Sequence, residues 1–188
     1  MKEVDPTSER HGNSSPSATP TVSSGAPTPE ITIRVLKPDD AEAVRRLHER
    51  LSDSDRYRRF CGPGPKRVET LATLICQRDA GYYALGAFED DTLVGVAHYV
   101  VVDRRRGHRT AEFALVVDGH EQRHGIGTIL LRRLCMDAYT HGLDHLTAQI
   151  LAENNLMLAV IAEQGLADAL HPEGAVVYFD LDLHRRGN

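Results

Sequence analysis

Alternating apolar and polar residues predict strands along much of the chain after residue 30. ITIRVL from Ile31 and AVVYFDLDL from Ala175 alternate as half-buried strands do. GYYALGAFE, TLVGVAHYVVV and AEFALVV are three further strand-like runs in succession, and Asp90 and Asp91 join the first two as a hairpin turn does. We therefore expect three consecutive antiparallel strands, followed later by another strand, HLTAQIL, from His145.

Helical periodicity occupies the segments between these strands. A turn and cap at residues 37–40 precede AEAVRRLHERL, and a second helical pattern begins near Lys66. Prolines and glycines interrupt the periodicity between them, so residues 52–65 are expected to form an irregular loop. Two later helices are expected, from about Gly125 to His141 and over NNLMLAVIAEQ. The order βααβββαβαβ predicts an α/β fold with a mixed, mostly antiparallel, twisted sheet flanked by helices.

Composition divides the chain into a tail and one domain. Residues 1–29 are rich in Ser, Thr and Pro and poor in large apolar side chains, so we expect them to be disordered. Residues 30–184 are expected to form a single domain, because 188 residues with 41% hydrophobic content suffice for one sizeable core. We expect no signal peptide and no membrane segment, since no apolar run has the required length.

Net charge and cysteine content limit the expected binding partners and the expected cellular location. The formal net charge of −5 gives no reason to expect nucleic-acid binding. Three scattered cysteines fit neither a disulfide framework nor a metal site, which favours a reducing, cytoplasmic location. No metal is expected, because the histidine pairs at 120/124 and 141/145 each straddle a loop.

The QxxGxG stretch at residues 122–127 carries the clearest chemical signal. Its two glycines let backbone amides approach a ligand closely, and the helix behind them directs its positive end at the same place. This arrangement indicates a diphosphate seat, although the same letters also suit a glycine-containing loop that simply begins a helix. The candidate contacts are Gln122, Arg123, His124, Gly125, Ile126, Gly127 and Thr128.

Three segments together resemble the GCN5-related N-acetyltransferase (GNAT) family. QRHGIG matches the family's acyl-CoA loop, ALVV at 114–117 matches the bulged strand before it, and Asn154 with EQGL at 163–166 matches the following helix. The resemblance covers essentially the whole chain after the tail. It implies acetyl-CoA as acyl donor, without a metal, in a slot opened where one strand splays away from its neighbour.

The strand and the asparagine each have two readings. The resemblance implies that Leu115, Val116 and Val117 pair with the pantetheine arm through backbone groups that a bulge leaves free. ALVV also suits an ordinary buried strand. Asn154 either bonds the cofactor arm or caps the helix that follows it.

Glu112 is the candidate general base, because it lies on the strand of the expected cofactor contacts. Its apolar neighbours Ala111 and Phe113 predict partial burial of the carboxylate. A cross-strand salt bridge or a solvated edge position is the structural alternative. AEFALVV, RYRRF and GVAHY resemble bacterial Pat-type protein lysine acetyltransferases, and that resemblance implies the base role.

The expected function is acetyl transfer from acetyl-CoA to an amine by direct attack. A protein lysine is the expected acceptor, with acyl-CoA ligases among the candidate substrates. A small amine is the alternative acceptor, and a catalytically silent acyl-CoA sensor is the alternative class. Many family members place a tyrosine seven residues after the asparagine, where this chain has Ile161, so no side-chain general acid is evident.

Overall fold

The structure is a computed structural model that describes residues 31–77, 79, 81–105, 108–119 and 125–186. The tail expected at 1–29 lies outside these ranges. Within them, none of the helices has both the length and the apolar character needed to span a membrane.

Seven strands form one sheet in the order β1-β2-β3-β4-β5-β7-β6. Every neighbouring pair is antiparallel except β4 with β5, which is parallel. The mixed, mostly antiparallel sheet and the three consecutive antiparallel strands are therefore confirmed. The strands are β1 (Ile31–Val35), β2 (Tyr82–Glu89), β3 (Thr92–Arg105), β4 (His108–Val117), β5 (His145–Leu151), β6 (Leu170–Glu173) and β7 (Val176–Asp182).

Five α-helices flank this sheet in the described part of the chain. They are α1 (Ala41–Arg50), α2 (Asp53–Phe60), α3 (Val68–Ile75), α4 (Ile126–Thr140) and α5 (Asn155–Glu163). Core side chains form one cluster with α4 on one face of the sheet and a second cluster with α1 and α3 on the other. The strands are therefore covered on both faces, and burial of each large side chain contributes roughly 1.5–3 kcal/mol.

Two sequence predictions are wrong at the level of elements. The loop expected at 52–65 contains α2, because the Ser52 hydroxyl accepts a hydrogen bond from Asp55 N–H and caps its first turn. Cys61 ends this helix in the left-handed conformation, at φ 47°. The single C-terminal strand is a hairpin of β6 and β7, which turns at Gly174 with φ 61°. The observed order is therefore βαααβββαβαββ.

The sheet opens between β4 and β5. Their pairing covers only Thr110–Glu112 against His145–Thr147, whereas β5 pairs with β7 along its full length. The expected splay is confirmed.

The bulge expected at residues 114–117 is wrong, because β4 pairs with β3 in continuous register from Ala111 to Val117. The extra residue lies in β3, at Val102. Divergence from β5, rather than a bulge, ends the pairing of β4 with β5 at Glu112.

Candidate active site

A cavity of about 410 Å³ occupies the opening between β4 and β5. Residues from both faces of β4 line it, so the cavity passes through the sheet. Its walls comprise α2 (Asp55, Arg58, Arg59), β4 (Phe113, Ala114, Leu115, Val116, Val117), the start of α4 (Gly125, Gly127, Thr128), β5 (Ala148, Gln149, Ile150) and the α5 region (Asn154, Leu156, Met157, Ala159, Val160, Glu163).

The glycines at the start of α4 shape one end of this cavity. Gly125 is the N-cap at φ 74°, a conformation that other residues adopt only with strain. A Cβ atom added at Gly127 would lie 3.4 Å from Val160 Cγ2 and 3.7 Å from Leu115 Cδ2, so a larger side chain would fill the cavity. The N-terminus of this 15-residue helix therefore presents amide donors and a partial positive charge to the cavity.

Two other predicted seat residues behave differently from the glycines. The Ile126 side chain is buried in the core, so only its backbone is available to a ligand. The Thr128 hydroxyl donates a hydrogen bond of 2.9 Å to the Glu163 carboxylate, and both residues line the cavity. The predicted contacts Gln122, Arg123 and His124 lie outside the described residues.

Apolar side chains of β4 form the middle of the cavity wall. Leu115, Val116 and Val117 all line it, and Val116 and Val117 are also buried core residues. The two readings of ALVV are thus compatible, because one strand contributes both to the core and to the wall.

Asn154 caps α5 and also lines the cavity. Its side-chain oxygen accepts a hydrogen bond of 3.2 Å from Met157 N–H. The capping reading is therefore confirmed. This cap does not use the side-chain amide donors, so it is compatible with a ligand contact.

Glu112 lies where β4 and β5 part. It pairs with Val100 on one side and with Thr147 on the other, and it is the last β4 residue that pairs with β5. The residue is exposed, so the predicted partial burial is wrong. Glu112 does not line the cavity, but Ala114 on the same face does, roughly 7 Å further along the strand.

The sequence reading missed the contribution of α2 to the cavity. Asp55 and Arg58 form an ion pair of 3.1 Å, and Arg59 lies beside them on the wall. Desolvation lowers the pKa of Arg59 to about 10, against the opposing influence of Cys61 and Glu112. The sequence contained a signal for this wall: Arg58 and Arg59 follow Asp55 by three and four residues, and residues at these spacings share one face of a helix.

No cluster of three or more metal-ligating side chains occurs in the part of the chain that the structure describes. The described residues at the cavity supply the N-terminus of α4, the exposed carboxylate of Glu112 beside the opening and the cations of α2. A slot through the sheet with an anion seat at one end can hold an elongated anionic donor against a second reactant. These features suit a protein that transfers a group from an anionic donor to a second reactant.

The family comparison agrees with this class. The sequence model described as "Acetyltransferase (GNAT) family" matches residues 44–166, so the chain belongs to the GNAT family of acetyltransferases. The predicted family and fold are confirmed.

Solved structures share this fold. The GNAT domain of S. lividans PAT is 24% identical over 80% of this chain and 89% of that one, with a TM-score of 0.70. The yncA protein of Salmonella typhimurium, a putative acetyltransferase solved with its cofactor acetyl-CoA, is 19% identical over 84% and 96%, with a TM-score of 0.69. An N-acetyltransferase from Staphylococcus aureus Mu50 is 19% identical over 82% and 99%, with a TM-score of 0.64.

Proposed function

We propose that this acetyltransferase uses acetyl-CoA as donor and transfers the acetyl group directly to an amine. The observation that carries the proposal is the slot between β4 and β5, with glycines 125 and 127 at one end and Glu112 at its edge. The α4 amides would hold the diphosphate, and the β4 wall would hold the pantetheine arm. The related yncA protein, which was solved with acetyl-CoA, supports this choice of donor.

Glu112 is the proposed general base. The attacking amine must be neutral, so its ammonium form first loses a proton, and the exposed carboxylate at the slot can accept that proton directly or through a water. The amine nitrogen then forms a bond to the thioester carbonyl carbon while the carbon–sulfur bond breaks. A backbone N–H of β4 near Leu115 is the proposed donor to the carbonyl oxygen.

The leaving thiolate has no evident side-chain acid at the expected position. Ile161 is fully buried in the core cluster and carries no proton to give. We propose that CoA leaves as the thiolate or takes its proton from water, because a thiolate is a tolerable leaving group.

A protein lysine is the proposed acceptor. The similarity of AEFALVV, RYRRF and GVAHY to Pat-type enzymes supports it, and acyl-CoA ligases are the first substrates to test. The exposed position of Glu112 is compatible with a macromolecular amine at the mouth of the slot. The proposed compartment is the cytoplasm, which the three scattered cysteines of the sequence favour.

A small amine is the second candidate acceptor, and Arg59 gives it specific support. A guanidinium on the cavity wall repels polycationic amines and favours an acceptor that also carries a negative charge. A silent acyl-CoA sensor is the remaining alternative.

CoA release with candidate amines tests the catalytic proposal, and intact-mass measurement of added acyl-CoA ligases tests the protein acceptor. Removing the base should lower kcat about 100- to 10,000-fold in Glu112→Gln. Glu173→Gln removes an equal charge from the exposed strand β6, outside the cavity, and serves as the matched control. Full turnover of Glu112→Gln at saturating substrate across the pH range would contradict the base assignment. Stabilisation by acetyl-CoA without release of CoA for any amine would favour the sensor.

A further inference from the structure

Buried nitrogens without hydrogen-bond partners concentrate at one place in this fold. Among the described residues, four side-chain nitrogens are buried and unpartnered. They are His48 Nε2, Arg56 Nε, Arg59 Nε and His98 Nδ1. Buried polar groups are normally hydrogen-bonded, so such a concentration calls for a physical explanation.

These four residues are close neighbours on the α2 side of the sheet. Burial lowers the pKa of His48 and that of His98; the charges of Arg59 and Arg56 act in the same direction on His48, and those of Arg59 and His48 do so on His98. His98 lies on β3 directly opposite Ala114, a cavity-lining residue. Arg59 lines the same cavity, so one member of the cluster lies on the cavity wall.

Within the described ranges, no carboxylate accepts a hydrogen bond from the buried nitrogens of this cluster. Asp55, an α2 carboxylate on the cavity wall, accepts a hydrogen bond from Arg58. Glu112 acts on Arg59 through its charge, and no described residue accepts a hydrogen bond from Arg59 Nε. A buried guanidinium nitrogen without a hydrogen-bond partner is costly, and an anion that accepts a hydrogen bond from the guanidinium lowers that cost.

The diphosphate of the donor is not the matching anion. Its proposed seat is the N-terminus of α4, and α4 packs on the face of the sheet opposite to the cluster with α1 and α3. Glu112, Ala114 and His98 share one face of the sheet, since directly opposed residues of an antiparallel pair project to the same side. The cluster therefore faces the side from which the second reactant would approach.

We propose that Arg59 binds a carboxylate of the acceptor and thereby holds the acceptor amine at the slot. This inference rests on the proposed acetyl transfer and specifies the chemical class of its acceptor. The carboxylate belongs either to a free amino acid or to an acidic residue beside an acceptor lysine. In both cases the recognised group is the same, and only its source differs.

Two matched acceptor pairs separate these sources. Leucine and leucinamide differ by a free carboxylate, and the N-acetylated amides of Glu-Lys and Gln-Lys differ by an acidic side chain. In the wild-type chain, kcat/KM should favour the carboxylate member of one pair about 10- to 100-fold, as expected for a charge-assisted hydrogen bond. The pair that shows this preference identifies the source of the carboxylate.

Variants of α2 assign the preference to Arg59. In Arg59→Met the ratio should fall to about 1, and Arg59→Lys should retain part of it, because it keeps the charge without the guanidinium geometry. Arg58→Met is the matched control: it removes a guanidinium already paired with Asp55, so the ratio should persist even if both rates change. Ratios near 1 for both wild-type pairs would overturn the proposal. An equal loss of kcat for all four acceptors in Arg59→Met would also overturn it and would indicate that Arg59 acts through Glu112.

A binding measurement keeps the inference separate from the proposed activity. CoA carries no acetyl group to transfer, so a thermal shift with CoA and each acceptor reports binding alone. The carboxylate member should raise the Tm of the wild-type chain but not that of Arg59→Met. This result without turnover would support the carboxylate site while the proposed activity fails. Turnover of neutral amines with no such shift would support the proposed activity and contradict the carboxylate site.

Discussion

Glu163→Gln should strengthen the binding of acetyl-CoA, although it removes a residue from the wall of the site. The Glu163 carboxylate accepts a hydrogen bond of 2.9 Å from the Thr128 hydroxyl at the start of α4, where the diphosphate is expected. A phosphate that used the same hydroxyl would have to displace Glu163 as its acceptor. It would then lie beside a like charge.

The geometry sets the size of this effect. A phosphate oxygen bonded to the Thr128 hydroxyl would lie at most about 6 Å from the Glu163 oxygen, given hydrogen bonds of ordinary length. Two unit charges at that distance repel by about 0.7 kcal/mol in water and by about 3 kcal/mol at an effective dielectric constant of 20. Glu163 is exposed, so the lower value is the better guide, and competition for the hydroxyl adds about 0.5–1 kcal/mol. We expect a gain of about 1–2 kcal/mol, or roughly 5- to 30-fold in Kd.

Titration calorimetry with acetyl-CoA at two salt concentrations measures this gain. The difference between Glu163→Gln and the wild-type chain should shrink at high salt, because screening weakens the repulsion. Glu153→Gln removes an equal charge from the exposed turn before α5, outside the cavity lining, and should leave Kd within about twofold. Unchanged or weaker binding in Glu163→Gln would refute the placement of the diphosphate at Thr128.

Three further predictions address the seat, the cap and the buried histidines. Gly127→Leu should abolish acetyl-CoA binding by filling the space toward Val160, whereas Gly127→Ala should retain it, as calorimetry can show. Asn154→Asp keeps the capping oxygen, so it should preserve Tm while weakening acetyl-CoA binding. Asn154→Ala should weaken binding too and should also lose about 1 kcal/mol of stability. Equal acetyl-CoA binding by the wild-type chain and both variants would show that Asn154 only caps the helix. Burial lowers the pKa of His48 to about 4, below its unfolded value, so the stabilisation is complete above about pH 6.5 and is lost as the pH falls toward 4. Urea unfolding should show a loss of about 2 kcal/mol between pH 7 and pH 5 from His48, with His98 acting in the same direction, and His48→Gln should reduce that loss.

Local sequence patterns were sufficient to predict most of the sheet, because strand alternation and turn chemistry are properties of short segments. The hairpin at Asp90 needs only one tight turn between two alternating runs, and it forms as predicted. The hairpin before β7 was missed, because LHPE has neither alternation nor bulk and pairs only as the edge strand β6. Proline at position 172 is tolerated at such an edge.

The error at α2 had a different cause. Its sequence, DSDRYRRF, is strongly polar and short, and prolines and glycines follow it directly, so propensity alone favours a loop. The Ser52 cap and the contact of this helix with β4 stabilise it in the fold. The same contact places Arg59 on the cavity wall. A tertiary contact therefore determined both the missed helix and the missed site residue.

The proposed diphosphate seat at the start of α4 also affects product release. CoA and acetyl-CoA share the same diphosphate, so every contact at the start of α4 binds donor and product alike and cannot favour the reacting state. A carboxylate at Glu163 that weakens this seat weakens the binding of both molecules equally, and the departure of CoA becomes faster. If release of CoA limits turnover, Glu163→Gln should lower kcat as well as Kd, and the two effects should shrink together at high salt. A variant with tighter donor binding and an unchanged kcat would instead place the slow step at the chemistry, where Glu112 is proposed to act.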